Sequence, residues 1–172
     1  MMACCDSSDA LSLEAAQARL AALPRVCTVE SVALADGLGR ILAEPVVSSV
    51  NVPAFDNSAM DGYAVRLADL AGSSSLLLAG KAFAGQPFNV QPFNGEWPAG
   101  HCIRIMTGAP LPAGADAVVM QEQTRVEPLA EGGERIHFSA NVLAGQNIRR
   151  QGEELQPGQP VLAAGVRLTA RE

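Results

Sequence analysis

Glycine and proline punctuate this chain so often that none of its strands or helices can be long. The 172 residues include 16 Gly and 11 Pro. Beyond Arg66 the apolar residues come only in short runs between these breakers, at Leu76–Ala79, Cys102–Met106, Ala117–Gln121, Arg135–Phe138 and Val161–Ala163. Runs of this length bounded by turn residues suit strands and are too short for stable helices. Three of them follow a Pro and Gly turn, at Pro98-Ala-Gly100, Pro112-Ala-Gly114 and Pro157-Gly158, where Pro presets φ and Gly accepts the turn geometry. The segment beyond Arg66 is therefore read as β-rich.

Ahead of it the pattern is helical. Ser12 can cap a helix in which Leu13, Ala16, Leu20 and Leu23 recur at helical spacing, and Pro24 stops it. One face of this helix is expected to be buried. A strand is expected over Glu30–Leu34, followed by a second, shorter helix over Ala35–Ala43 with Leu38, Ile41 and Leu42 on one side and Pro45 as its stop.

A hydrophobic content of 48% with 17% charged residues indicates a folded chain, long enough for one large domain or two small ones. The net charge of −6 argues against nucleic acid as a partner, because a phosphate backbone demands clustered Lys and Arg. Only Arg149 and Arg150 form a basic pair. The start, MMACCDSSDA, has no basic stretch and no apolar run of signal-peptide length, and no later segment could span a bilayer, so a cytoplasmic protein is expected. Cys4 and Cys5 are adjacent and Cys27 and Cys102 stand alone, without zinc or redox spacing, and all four are read as reduced thiols. His101 and His137 likewise lack a spaced partner. Gln86-Pro-Phe-Asn89 recurs as Gln91-Pro-Phe-Asn94, a short duplication in a tolerant loop. Phe88, Phe93 and Trp97 could cover a groove there or cap the edge of a sheet core.

Residues Val52 to Arg66, VPAFDNSAMDGYAVR, fit neither helix nor strand periodicity and read as a site. Asp56, Asn57, Ser58 and Asp61 offer hard oxygen ligands on short side chains, the kind that bind Mg²⁺ or position water near a phosphate. The structural alternative is an Asx turn at Asp-Asn-Ser and a second turn at Asp61-Gly62. A second constellation is Arg104-Ile-Met-Thr-Gly-Ala-Pro110, in which Thr107 lies between a strand and a turn whose backbone N–H groups could hold an oxyanion; a strand-ending Thr bonding its own turn is the alternative. A third is Gln146-Asn-Ile-Arg-Arg-Gln-Gly-Glu-Glu154. Its two guanidinium groups suit bidentate contact with an anion, or a surface ion-pair cluster with Glu153 and Glu154. Glu122, at the end of an apolar strand, is either a supporting carboxylate or a solvated strand end.

These blocks, together with Asp116-Ala-Val-Val-Met-Gln-Glu122, resemble in order and spacing the molybdopterin molybdenumtransferases, a family that includes the bacterial enzyme and the E domain of gephyrin. The resemblance runs from about Leu11 to the last residue. It implies the final step of molybdenum cofactor assembly, in which adenylylated molybdopterin and molybdate give the metallated cofactor and AMP with Mg²⁺ assistance.

The same resemblance implies an α+β, β-rich fold with N-terminal helices and an inserted, mostly-β domain of coiled and bifurcated sheets. The first domain would be discontinuous, residues 8–50 and 148–172, around an insert of residues 51–147. Within it, Asp61 is expected to position metal or molybdate, Thr107 to hydrogen-bond substrate, and Arg149 or Arg150 to contact an anion, while Asp56, Asn57 and Ser58 shape the substrate site. Glu154 stands where the family usually has Asp, and its longer side chain moves any metal-binding carboxylate. Family members continue beyond Arg167-Leu-Thr-Ala170 into pterin-binding domains that this chain lacks, so the chain by itself is expected to be inactive. A homodimer sharing its cleft between subunits, and other molybdenum cofactor biosynthesis proteins as partners, are implied as well. Two other readings stand beside this one: a non-catalytic dimerisation or assembly module of the same family, and a self-sufficient metal-dependent hydrolase using Asp56 and Asp61.

Overall fold

A computed structural model of the chain describes residues 11–24, 28–83, 85, 97–139 and 141–172. The fold is strand-rich with few helices. In chain order the elements are α1 (Leu13–Ala21), β1 (Val46–Val47), β2 (Asn57–Ser58), β3 (Gly62–Val65), α2 (Leu67–Leu70), β4 (Ser75–Ala82), β5 (His101–Ile105), β6 (Ala117–Met120), β7 (Thr124–Pro128), β8 (Glu134–Phe138), β9 (Ile148–Arg149) and β10 (Pro160–Leu162). Each apolar run flanked by Gly and Pro lies on a strand. The turns before β5, β6 and β10 have Gly100, Gly114 and Gly158 at φ of 73°, 83° and 86°, which Gly adopts without the steric cost other residues incur.

A six-stranded sheet in the order β6-β3-β5-β4-β8-β7 carries the core. All its pairings are antiparallel except β4 with β5. Side chains are buried on both faces. Tyr63, Val65, Cys102, Val119 and Phe138 pack on one side, and Ala64, Ile103, Ile105, Val118 and Trp97 on the other. A sheet covered on both faces has no polar side to alternate with, so its strands read as unbroken apolar runs. Tyr63 meets Phe138 edge-on, with ring centroids 6.4 Å apart. Trp97 thus belongs to the sheet core, while Phe88 and Phe93 and their repeat lie outside the described residues.

Strand β3 is buried at every position, yet it falls in the stretch that sequence periodicity leaves unassigned. Its first residue explains this. A Cβ at Gly62 would sit 2.0 Å from the Val119 carbonyl oxygen, so close strand packing demands glycine where a strand pattern would show a side chain.

Two compact units divide the chain, one running to Ala43 and including Gly165–Glu172, the other spanning Glu44–Ala164. The sequence reading sets boundaries near residues 50 and 148, whereas the two-stranded ladders β1–β10 and β2–β9 lie wholly within the second unit.

The first unit departs from expectation in three places. α1 is capped by Ser12, whose side chain accepts the Ala15 N–H at 3.2 Å, but it buries no residue, and Leu13, Leu20 and Leu23 stay more than 60% exposed. Helical periodicity identifies an apolar face, not what covers it. No strand forms over residues 30–34 and no helix over 35–43, where a 3₁₀ turn at Leu34–Asp36 is the only regular element. Gly37 follows that turn and Gly39 takes a φ of 79°, so the backbone leaves helical geometry before Ile41, which bridges to Arg167.

Cys102 is fully buried, and burial pushes its thiol up to about 12, an unreactive group. Cys4, Cys5 and Cys27 lie outside the described residues. Among the described residues no helix is long and apolar enough to cross a membrane.

Candidate functional site

The segment from Asp56 to Asp61 is held by main-chain bonds on two sides. Asp56 O accepts Leu111 N–H at 2.9 Å, Ser58 N–H donates to Ala109 O at 3.1 Å, and Gly108 N–H donates to Ser58 O at 2.8 Å. On its other side β2 pairs with β9, Asn57 opposite Arg149 and Ser58 opposite Ile148, and Ala59 N–H donates to Asn147 O at 2.9 Å. Asn57 and Ser58 are buried and commit their side chains to their own segment. Asn57 Nδ2 donates to Phe55 O at 3.1 Å, and Ser58 Oγ donates to Met60 O at 2.6 Å. They therefore fix the shape of the turn that carries Asp56 at one end and Asp61 at the other.

At the Asp61 end the structure brings together residues 46 positions apart. Asp61 Oδ1 accepts both the backbone N–H and the hydroxyl of Thr107, each at 2.7 Å. Those two bonds hold the Asp61 carboxyl below the usual aspartate range, the backbone bond most strongly, with the nearby Arg104 charge adding to them. Among the described residues Oδ2 accepts no hydrogen bond. The oxyanion turn expected here is already occupied, because Thr107 N–H donates to Asp61, Gly108 N–H to Ser58 O and Ala109 N–H to Met106 O. The Thr107 hydroxyl likewise orients Asp61.

Arg104 stands in the same cluster. Its Nη1 donates to Gly62 O at 3.0 Å, its Nη2 to Gln121 Oε1, and its guanidinium lies 5.1 Å from the Tyr63 ring centroid. Sequence reasoning passed over both Arg104 and Gln121 as site residues. The available signal was Arg104 itself, a charged side chain inside the apolar run Cys102–Met106.

At the Asp56 end the charges neutralise one another. Asp56 Oδ2 accepts Arg150 Nη1 at 2.6 Å and its Oδ1 accepts Gln151 N–H at 2.7 Å, which together lower its pKa, the Gln151 bond foremost. Arg149 pairs with Glu153 at 3.2 Å and with Glu154, and Glu153 Oε2 also accepts the Arg150 backbone N–H at 2.8 Å. Glu154 thus faces a guanidinium. Glu122 accepts Gln121 Nε2 at 3.3 Å. Among the described residues no three His, Cys, Asp or Glu side chains gather as a metal cage.

Residues 11–172 match the family model described as MoeA N-terminal region (domain I and II). The molybdopterin molybdenumtransferase of Haemophilus influenzae is 49% identical over 92% of this chain and 37% of its own length. That of Synechococcus elongatus is 39% identical over 92% of this chain and 38% of its own. A crystal structure of the molybdopterin biosynthesis moeA protein from Pyrococcus horikoshii superposes with a TM-score of 0.70 at 35% identity, covering 83% of this chain and 36% of that one. The chain thus spans little more than a third of the length of these relatives.

Proposed function

The chain belongs to the MoeA N-terminal region family, and on that premise we propose that it supplies one side of a site where molybdate enters adenylylated molybdopterin with release of AMP. The observation that carries the proposal is the Asp61–Thr107 pair. Two family-like blocks far apart in sequence converge on one ionised carboxylate, fixed by two short hydrogen bonds and leaving one oxygen uncommitted. In this reading Asp61 positions an oxygen ligand or a metal-bound phosphate, and Thr107 keeps the carboxylate deprotonated and aimed. Asn57 and Ser58 hold the turn, and the Asp56–Arg150 pair closes it against residues 150–151.

Mg²⁺ suits this donor set in one form only. It binds through one or two carboxylates and otherwise through water and substrate phosphates, so a lone Asp61 oxygen suffices where a protein-only cage is absent. When bound, the ion would offset charge on the phosphate oxygens. Glu154, paired to Arg149, is not part of that donor set. Asp56 has both oxygens engaged, which weighs against a hydrolase built on Asp56 and Asp61.

The remainder of the site, which would hold the pterin, is assigned to a separate region or to a second subunit of a homodimer. The test mixes the purified chain with adenylylated molybdopterin, Mg²⁺ and molybdate, with and without a separately made pterin-binding region, and follows AMP. Release only when both pieces are present supports a shared site. Multiple turnovers from the chain alone would contradict it.

One observation favours an assembly role alongside catalysis. In the first unit Leu13, Leu20, Leu23, Leu34 and Leu38 are each more than 60% exposed, apolar side chains that a partner surface would cover.

A further inference from the structure

The Asp61 site has a charge problem that the fold resolves through a residue outside the expected set. Anionic substrates must approach an ionised carboxylate, yet the N–H groups of the Thr107 turn are already donated within the fold. Of the expected cations, Arg149 is neutralised by Glu153 and Glu154, and Arg150 by Asp56. Arg104 is different. It is held by two neutral oxygens and an aromatic face, and among the described residues no carboxylate pairs with it. A guanidinium has five N–H donors, and only two of those on Arg104 meet a described acceptor. The hydrogen bonds make it a neighbour of Asp61: its Nη1 donates to the carbonyl of Gly62, the next residue, and its partner Gln121 donates its own N–H to Asp61 O at 3.1 Å.

We infer that Arg104 is the anion-binding residue of this site: a pre-oriented guanidinium that takes a tetrahedral oxyanion beside Asp61, with Gln121 and Tyr63 as positioning residues. The ligand chemistry is that of a phosphate or molybdate oxygen, which the planar fork of Arg matches with two parallel donors. Neutral partners are essential to this role. A carboxylate in place of Gln121 would satisfy the same donor and cancel the charge that attracts the anion. The inference rests on reading Asp61–Thr107 as the site, and its test separates the two.

The experiment is an NMR titration of the isotope-labelled chain with molybdate alone and, separately, with pyrophosphate alone, following the Arg104 side chain and the Gln121 and Thr107 amides. A saturable shift with one ion identifies whether the cargo oxyanion or the substrate phosphate is bound. Arg104→Gln should weaken that binding about tenfold or more, the scale of one lost charged hydrogen bond. Arg104→Lys should restore part of it. Gln121→Glu should abolish binding with an unaltered thermal transition, which guards against a variant that merely fails to fold. No saturable shift at Arg104 with either ion, or unchanged affinity in Arg104→Gln, overturns the inference. Should that occur while Asp61→Asn still abolishes AMP release in the two-piece assay, the Asp61 site stands without Arg104.

Discussion

The two ends of the Asp56–Asp61 turn carry similar residue types and use them in opposite ways. At the Asp56 end every charged group meets an opposite charge: Arg150 meets Asp56, and Arg149 meets Glu153 and Glu154. At the Asp61 end the carboxylate is held by an N–H and a hydroxyl, and the guanidinium by a carbonyl and an amide oxygen. The difference teaches how to tell a fastening from a site. Mutually neutralised pairs fasten one segment to another and have little field left for a ligand, whereas charges fixed by neutral partners stay available.

The largest expected effect comes from Gly62, the residue that places the Asp61 end against the sheet. Gly62→Ala puts a methyl into the Val119 carbonyl and should cost about 3 kcal/mol or more of stability, read from denaturant unfolding. It should also disorder the Thr107 amide while leaving the Arg150 contacts intact.

Asp56→Asn breaks the fastening itself. The loss should be at most about 1 kcal/mol, since the pair is more than a third exposed. Adding Arg150→Gln should cost little more, because the pair is already gone. The Asp56 pKa is lower in the fold than its ordinary value, so its contribution is present above the ordinary aspartate range and lost as pH falls through the folded value. Melting curves in acid should therefore fall less steeply for Asp56→Asn than for the unsubstituted chain.

The smallest effect tests the other end. Thr107→Val removes the hydroxyl donor and keeps the backbone one, so the Asp61 pKa should rise part of the way toward its ordinary value, with stability almost unchanged. A carboxyl-carbon NMR titration reads this directly. An unmoved pKa would mean that the hydroxyl does not hold Asp61.

Much of the sheet was legible because its punctuation is local. Gly and Pro bound β4, β5, β6, β8 and β10, and turn chemistry needs no knowledge of distant chain. What was hidden depends on tertiary contact. β3 looks like a loop because its glycine answers to Val119 across the sheet, and the stretch 35–43 looks helical only if the conformations of Gly37 and Gly39 are ignored. The same holds for function. Family resemblance drew attention to Asp61 and Thr107, but no spacing rule joins residues so far apart. Arg149 and Arg150 stand out in sequence as a basic pair, yet the structure gives both to carboxylates, while the unneutralised Arg104 sits inconspicuously in an apolar run.

The central claim is that Asp61 is a functional carboxylate and not a folding element. Asp61→Asn keeps the shape and an acceptor for Thr107 while removing the charge, which makes it the sharpest probe. AMP release in the two-piece assay, measured beside the melting temperature, should drop by about a hundredfold or more with the melting temperature nearly unchanged. Retained activity in the folded protein, accompanied by a large loss of stability, would contradict the claim.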